Sequence, residues 1–153
     1  MRVSFFAWEA SWSRILTLYQ LKRRGWYISN RCYLGKEEEE TTNHLPLLCD
    51  KVRMLWNLIF SLSGVQWVMH FPIRKNLLGW HGSFVDKKMN KAWRATPLCL
   101  MRTTWKERND RPFNDIEWSN QAIKFLFMYI VVNWARVHIE DHTFFFISKK
   151  EVY

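Results

Sequence analysis

Apolar residues recur at intervals of three and four along most of the chain, which is the spacing of one face of an α-helix. The clearest case lies between Asp50 and Ser63, and Gly64 follows it as a residue suited to end a helix. This pattern predicts a helix over those positions, with an inward face made of Val52, Leu55, Trp56, Ile59 and Leu62.

Weaker periodicity predicts four further helices and leaves one segment irregular. Thr17 is a suitable N-cap with Gln20 three residues later, and Lys22-Arg23-Arg24-Gly25 suits a helix end. Residues 65–85 show no clear period and contain Pro72, Gly79 and Gly82, so no helix is predicted there. The helices are predicted over residues 3–11, 18–24, 87–109 with a kink at Pro97, and from Asp115 or Ser119 to about Ile139.

These elements predict a mainly α fold, a single helical domain with a small irregular insertion; the insertion contains Cys32, His44 and Cys49 and so resembles a zinc knuckle. The chain has 153 residues, of which 48% are hydrophobic and 17% aromatic, enough for one core and unlike a disordered tail. The longest apolar run, residues 125–132, is too short to cross a bilayer, so no membrane partner is expected. Three cysteines without a convincing signal peptide favour thiols or metal ligands in an intracellular protein, in the nucleus or the cytoplasm.

The insertion contains the strongest candidate site. Cys32 opens a tight turn, and His44 and Cys49 form a return pair, as in a tetrahedral zinc site. The position three residues after Cys32 is Gly35, so three ligands stand in a frame built for four. Water or a carboxylate from residues 37–40 could complete such a site, although a run of four glutamates is more typical of a solvated loop.

A series of short motifs follows one order along the chain: F-F-A-W-E-A, R-I-L-T, L-K-R-R-G, the cysteine turn (Cys32 to Gly35), E-E-T-T-N-H-L, the second cysteine, M-L-W-N, and W-K-E-R-N-x-x-x-F from Trp105 to Phe113. In order and spacing these motifs resemble one family, the zinc-binding domain downstream of the polymerase in plant LINE-type (non-LTR) reverse transcriptases. The resemblance covers residues 2–139 as an N-terminally truncated domain with its ligand site around 32–49, followed by a C-terminal tail over 140–153.

The resemblance implies a zinc site at Cys32, Gly35, His44 and Cys49. Because glycine has no side-chain ligand, zinc is expected to be bound weakly or lost. The resemblance also implies a non-catalytic accessory domain, with RNA or DNA as its partner and a reverse transcriptase supplied in trans. No Y-x-D-D signature and no spaced carboxylate set for a ribonuclease H site is present in the sequence, so the chain is not expected to be an enzyme.

Positive charge points to the same class of partner. The chain has a formal net charge of +9, and ten basic and three acidic residues between Arg74 and Arg111 give that segment +7. Lys87, Lys91 and Arg94 share one face of the predicted helix and are the candidate nucleic-acid contacts. The competing interpretation is a solvated face opposite a tryptophan core, with Trp93 and Trp105 packed inward.

Other features have ordinary structural interpretations. His138 and His142 stand four residues apart but are more typical of a solvated helix end than of a metal site. Asp115 and Glu117 suit a helix N-terminus, and Cys99 suits a buried core position. Cys49 precedes the helix that begins at Asp50, so its pKa is expected to be lowered by the helix dipole.

Two further classes of function remain open from the sequence. The chain could be a non-functional retroelement remnant, which the missing cysteine and the late start favour. It could also be a protein-interaction module that uses exposed tryptophans, of which the chain has ten.

Overall fold

The fold is mainly α, as predicted. The computed structural model describes residues 3–70, 72–82 and 90–136, and within them it contains helices and no strand. A loop with a single π-helical turn, His44–Leu48, joins the second and third helices and forms the predicted insertion. The helices are α1 (Val3–Ser11), α2 (Leu18–Arg23), α3 (Asp50–Ser63), α4 (Ile73–Gly82), α5 (Asn90–Asn114) and α6 (Asn120–Arg136).

The local signals for α2 and α3 are confirmed. The Thr17 hydroxyl accepts a hydrogen bond from the Gln20 backbone N–H at 3.4 Å and caps α2. Gly25, just after α2, has φ +89°, and Gly64 ends α3 with φ +67°, a left-handed conformation that glycine adopts without steric cost. The prediction that Leu62 is buried is wrong, since 60% of this residue is exposed.

The prediction of an irregular segment over residues 65–85 is also wrong, because α4 begins at Ile73, directly after Pro72. Ile73, Leu77 and Trp80 are each 1% exposed and are spaced four and three residues apart, which is a helical face. A proline before a helix and a glycine inside one are compatible with helical structure when such a face is buried. Asn76 fixes the preceding loop, since its side-chain oxygen accepts a hydrogen bond from the His70 N–H at 2.8 Å.

Tryptophans fill the core between α3, α4 and α5. Trp80 stacks on Trp93 with ring centroids 4.0 Å apart and lies 5.3 Å from Trp56 and 5.2 Å from Trp67. Its indole N–H donates to the Trp93 carbonyl oxygen at 2.7 Å. Burial of rings this large contributes much of the stability of a small helical domain.

The last two helices pack along each other, and α5 extends five residues beyond its predicted end. In α6, Ile123, Phe127 and Val131 face inward, whereas Phe125 and Tyr129 are exposed. The apolar run predicted to be too short for a bilayer therefore belongs to a helix with one exposed face. In the described part of the chain, no helix has the length and apolarity that crossing a membrane requires.

A buried ion pair ties the insertion to α5 and corrects the prediction for residues 37–40. Glu37, Glu38 and Glu39 are exposed, as expected of a solvated run, but Glu40 is 0% exposed. Its carboxylate accepts hydrogen bonds from Arg108, with Nη2 at 2.7 Å and Nε at 3.1 Å. Because the two residues are far apart in sequence, no local pattern distinguishes Glu40 from its neighbours.

The remaining capacity of the Glu40 carboxylate is used by backbone donors. The Leu18 N–H donates to Oε1 at 3.1 Å and the Tyr33 N–H to Oε2 at 3.4 Å. On the other side, the Arg108 guanidinium lies 5.0 Å from the ring centre of Tyr33 and 5.1 Å from that of Trp105. The pair therefore joins the start of α2, the cysteine turn and α5.

One helical turn further along α5, Arg111 binds the backbone of the cysteine turn. Its guanidinium donates to the backbone carbonyl oxygens of Tyr33 and Leu34. Glu107 Oε1 accepts from Arg111 Nε at 3.1 Å and from the Trp118 N–H at 3.1 Å. The segment W-K-E-R-N thus supplies two residues, Glu107 and Arg108, that organise the insertion.

Removing one charge of the buried pair should destabilise the protein. We expect Glu40→Gln and Arg108→Met each to lower the free energy of unfolding by about 3 kcal/mol, because each leaves the partner charge buried and unpaired. The double variant should recover a large part of the summed loss, since it buries no charge. Urea unfolding followed by tryptophan fluorescence measures all three.

The control is Glu39→Gln, which changes the same chemistry on an exposed neighbour and should alter the free energy of unfolding by less than about 0.5 kcal/mol. Equal effects of Glu39→Gln and Glu40→Gln would contradict the assignment of Glu40 as a buried partner of Arg108.

Candidate metal centre

The turn after Cys32 is built by its own backbone. The Cys32 N–H donates to the Glu38 carbonyl oxygen, and the Lys36 N–H donates to the Cys32 carbonyl oxygen, each at 2.7 Å. The Gly35 N–H points at Cys32 Sγ at 3.5 Å. Lys36 takes a positive φ of 66°, which turns the chain away after Gly35. The result is a tight turn that presents the Cys32 sulfur to the protein interior.

The return pair comes from the π-helical turn and the start of α3. The Thr41 hydroxyl accepts from the His44 N–H at 3.0 Å and so stabilises the start of this turn. The Cys49 N–H donates to the His44 carbonyl oxygen at 2.9 Å, and Cys49 is the N-cap residue of α3. His44 and Cys49 are thus held in fixed relation by one backbone hydrogen bond.

Cys32, His44 and Cys49 converge, as the spacing predicts. All three are buried, and one ligand atom from each lies within 4.8 Å of the others. The two sulfurs are 3.9 Å apart. Two sulfurs bound to one tetrahedral zinc at about 2.3 Å would be about 3.8 Å apart, so the observed separation suits a shared metal ion.

The two ring nitrogens of His44 have different surroundings. Nδ1 lies 3.2 Å from the carboxylate of Glu38, whereas Nε2 is buried with no hydrogen-bond partner. A carboxylate on one nitrogen orients the ring and leaves the other nitrogen's lone pair for a metal. An orphaned nitrogen beside two sulfurs is the donor set that Zn²⁺ prefers, so the residues present fit this ion.

The two thiols lie within hydrogen-bonding distance of each other, and this contact determines the direction of their pKa shifts. The hydrogen bond with Cys49 lowers the pKa of Cys32, and the same hydrogen bond together with burial raises the pKa of Cys49. The prediction that Cys49 has a lowered pKa is therefore wrong. The first N–H groups of α3 do favour its thiolate, but the adjacent Cys32 sulfur outweighs them.

The imidazole of His44 responds to the same neighbours. Burial lowers its pKa, but the nearby Cys32 thiolate and Glu38 carboxylate outweigh burial, so the pKa lies above its usual value. A negative charge on either side of the ring is an environment that also favours a bound cation.

Gly35 faces the same centre. A Cβ built on Gly35 would lie 3.4 Å from Cys49 Sγ, an ordinary contact distance, and among the described residues nothing else comes within 4 Å of it apart from its chain neighbours. The positive-φ glycines are Gly25 and Gly64, so Gly35 has a backbone that other residues can adopt. The position where the resemblance implies a fourth ligand therefore accepts a side chain without a clash or a strained backbone.

Comparison with known families gives one match, and it covers this centre. Residues 1–56 match the family described as zinc-binding in reverse transcriptase. The matched segment runs from α1 into α3 and includes Cys32, Gly35, His44 and Cys49. No curated protein and no solved structure gives a significant match. The wider domain boundaries, 2–139, stay a prediction.

The candidate nucleic-acid contacts are only partly described. Lys87 lies outside the described residues, and the side chain of Lys91 is likewise not described. Arg94 is exposed on α5. Two cations of the basic segment, Arg108 and Arg111, point inward to Glu40 and Glu107 and do not belong to a surface patch.

The remaining sequence motifs have structural roles or lie outside the description. Cys99 is fully buried, and burial raises its pKa to about 12, as suits a core thiol. Glu117 forms ion pairs with Lys36 at 2.8 Å and Arg111 at 3.3 Å, which links α5 to the cysteine turn. His138 and His142 lie outside the described residues.

Sequence reasoning missed the residues that support the centre. The sequence pattern places Glu38 in a solvated run and Arg108 in a basic segment. The W-K-E-R-N motif belongs to the resemblance, but nothing in the sequence connects it to the cysteine turn.

Removing the carboxylate next to His44 should weaken metal binding without removing a ligand. We expect Glu38→Gln to lower zinc affinity about tenfold, at the low end of the range for such partners because the Glu38 side chain is largely exposed. Competition with a chromophoric chelator measures the affinity. The control is Glu37→Gln, an exposed neighbour that should leave it unchanged. Identical affinities for the two variants would count against a role for Glu38.

Proposed function

We propose that this protein is a zinc-binding, non-catalytic accessory domain derived from a retrotransposon reverse transcriptase. The observation that carries the proposal is the convergence of two thiol sulfurs and an imidazole whose Nε2 is buried without a partner. Zinc supplies a structural cross-link when bound. Cys32, His44 and Cys49 would hold it and so connect the cysteine turn to the start of α3.

The protein's own contacts prepare this centre. The Gly35 N–H hydrogen-bonds to Cys32 Sγ and stabilises its thiolate, while Glu38 orients the His44 ring. Arg111 donates to the Leu34 carbonyl oxygen and Glu40 accepts from the Tyr33 N–H, and these two contacts fix the cysteine turn. The ligands are therefore positioned before metal arrives, which reduces the ordering cost of binding.

We propose that Gly35 weakens zinc binding without abolishing it. A structural zinc site contributes about 10–16 kcal/mol with four ligands, so one lost thiolate corresponds to about 3 kcal/mol, or on the order of a hundredfold in affinity. Two thiolates and an imidazole still neutralise the ion and supply most of the bonding.

Restoring the fourth ligand should restore affinity. We expect Gly35→Cys to bind zinc on the order of a hundredfold more tightly than the parent, because the new sulfur would face Cys49 Sγ across the centre. The melting temperature should rise with it in the presence of zinc, since an ion that binds only the folded state stabilises that state. Chelator competition and thermal melts measure the two effects.

The control is Gly35→Ser, which adds a side chain of similar size with a poorer zinc ligand and should gain far less. With chelator present, the Gly35→Cys and parent proteins should melt at similar temperatures. Equal zinc affinity of the parent and Gly35→Cys would reduce the zinc-domain interpretation to an ancestral resemblance.

We propose further that the domain contacts RNA or DNA through α5. Arg94, Arg102 and Lys106 are exposed along this helix. Arg102 and Lys106 also line an open cleft with Tyr129 and Asn133 of α6. Cations beside an exposed aromatic ring are suited to a nucleic-acid backbone and a stacked base. Lys87 and Lys91 are proposed to extend this surface.

Charge reversal at Lys87, Lys91 and Arg94 should lower affinity for single-stranded RNA and flatten its salt dependence. Each lost phosphate contact removes about 0.7 from the slope of log affinity against log salt for single strands, so the slope should fall by up to about 2. Fluorescence anisotropy over a series of salt concentrations measures both quantities.

The matched control reverses Lys22, Arg23 and Arg24, a cationic triplet at the end of α2, and changes net charge by the same amount. If both triple variants weaken binding equally, the effect is one of net charge and α5 is not the contact surface. Unchanged binding at low salt after reversal of Lys87, Lys91 and Arg94 would contradict the proposal and identify the exposed face of α5 as a solvated surface.

The accessory role is proposed to be exercised with a reverse transcriptase supplied in trans, and the origin to be a plant LINE-type element. Support comes from the W-K-E-R-N segment, because its Arg108 binds Glu40 of the insertion and its Glu107 binds Arg111, which contacts the cysteine turn. The alternative of a tryptophan-based interaction module has less support, because Trp56, Trp80 and Trp93 are buried in the core. A non-functional remnant remains the alternative that zinc and RNA binding would oppose.

A further inference from the structure

The missing side chain at Gly35 leaves accessible space next to the metal centre. Gly35 is half-buried, whereas Cys32, His44 and Cys49 are all buried. Apart from chain neighbours, the one heavy atom of the described residues near the missing Cβ is Cys49 Sγ at 3.4 Å. No other described side chain occupies the position of the lost ligand, and the partial exposure of Gly35 places that position at the edge of the buried cluster.

Neighbouring carboxylates do not fill that space. Glu38 lies against Nδ1 of His44, and Glu40 is occupied by Arg108, Leu18 and Tyr33. Neither Glu38 nor Glu40 therefore supplies the carboxylate that could complete the metal site. The fourth position is left to a ligand from outside the chain.

Charge indicates the kind of ligand. Lys36 directly follows Gly35 and is paired with Glu117 at 2.8 Å, whereas Arg31 precedes Cys32 and is exposed. Both line a cleft of about 580 Å³ next to the cysteine turn, and the charged lining of this cleft is three cations against two carboxylates: Arg31, Lys36, Arg111, Asp115 and Glu117. Zn²⁺ with two thiolates and an imidazole has no net charge left to attract an anion, so the excess cation of this cleft would supply the attraction.

We infer that this centre takes one external thiolate at the position of Gly35, in place of the missing cysteine sulfur. The inference rests on the proposed zinc site. A small thiol would release its proton to the buffer, and its sulfur would take the fourth ligand position; no electron is transferred and no covalent bond to the chain forms. The protein would thus bind a small thiol in a metal-dependent way.

Cobalt substitution tests this inference on the full chain. Co²⁺ occupies tetrahedral Cys/His sites, and its sulfur-to-metal charge-transfer band scales with the number of bound sulfurs. Titrating the anaerobic Co²⁺ protein with 2-mercaptoethanol should raise that band by about half, as bound sulfurs increase from two to three. Ethylene glycol, which has a hydroxyl in place of the thiol, should leave the band unchanged.

The Gly35→Cys variant is the internal control. Its Co²⁺ spectrum should already match that of the thiol-saturated parent and should not respond to added thiol. If the variant does not fold, the comparison of 2-mercaptoethanol with ethylene glycol on the parent still decides the question.

Two results would overturn the inference, and they differ in what else they affect. A parent protein that binds Co²⁺ with a thiolate band but does not respond to 2-mercaptoethanol keeps the proposed zinc site and loses the external ligand. A parent protein with no thiolate band at any Co²⁺ concentration loses both, because the three residues then hold no metal.

Discussion

The buried ion pair between Glu40 and Arg108 is the interaction on which the rest of the structure depends. Removing two charges from water costs several kcal/mol each, so such a pair persists only when every lone pair and donor is used. Here the carboxylate accepts from Arg108, the Leu18 N–H and the Tyr33 N–H. Each of these three donors belongs to a different segment of the chain. The ion pair therefore fixes α2, the cysteine turn and α5 relative to one another.

This arrangement explains how Cys32, His44 and Cys49 keep their geometry although Gly35 has no side chain. The cysteine turn is held by Glu40 at Tyr33 and by Arg111 at the carbonyl oxygens of Tyr33 and Leu34. These contacts do not pass through a metal ion. The sulfurs of Cys32 and Cys49 therefore stay 3.9 Å apart because the surrounding protein places them there.

The centre also extends beyond the segment that the family match covers. Residues 1–56 contain Cys32, His44 and Cys49, but Arg111, which binds the cysteine turn, and Arg108, which binds Glu40, come from α5. Three residues of α5 support the cysteine turn, either directly or through a partner: Glu107, Arg108 and Arg111. A fragment ending near residue 56 would leave the Glu40 carboxylate without its cation, so the matched segment depends physically on the segment outside the match.

The sequence by itself determined the elements whose causes are local. Helical spacing and Gly64 predicted the bounds of α3, and Thr17 predicted the start of α2. The spacing of the ligands predicted that Cys32, His44 and Cys49 converge. Tertiary structure decided the rest. Glu40 differs from Glu39 only because Arg108, 68 residues away, lies opposite it. The Cys32 sulfur raises the pKa of Cys49, although the start of α3 favours the Cys49 thiolate. Helix α4 forms because one of its faces packs into a tryptophan core, despite its two glycines and the proline before it. In each case burial and charge pairing depend on residues distant in the chain, which no local pattern contains.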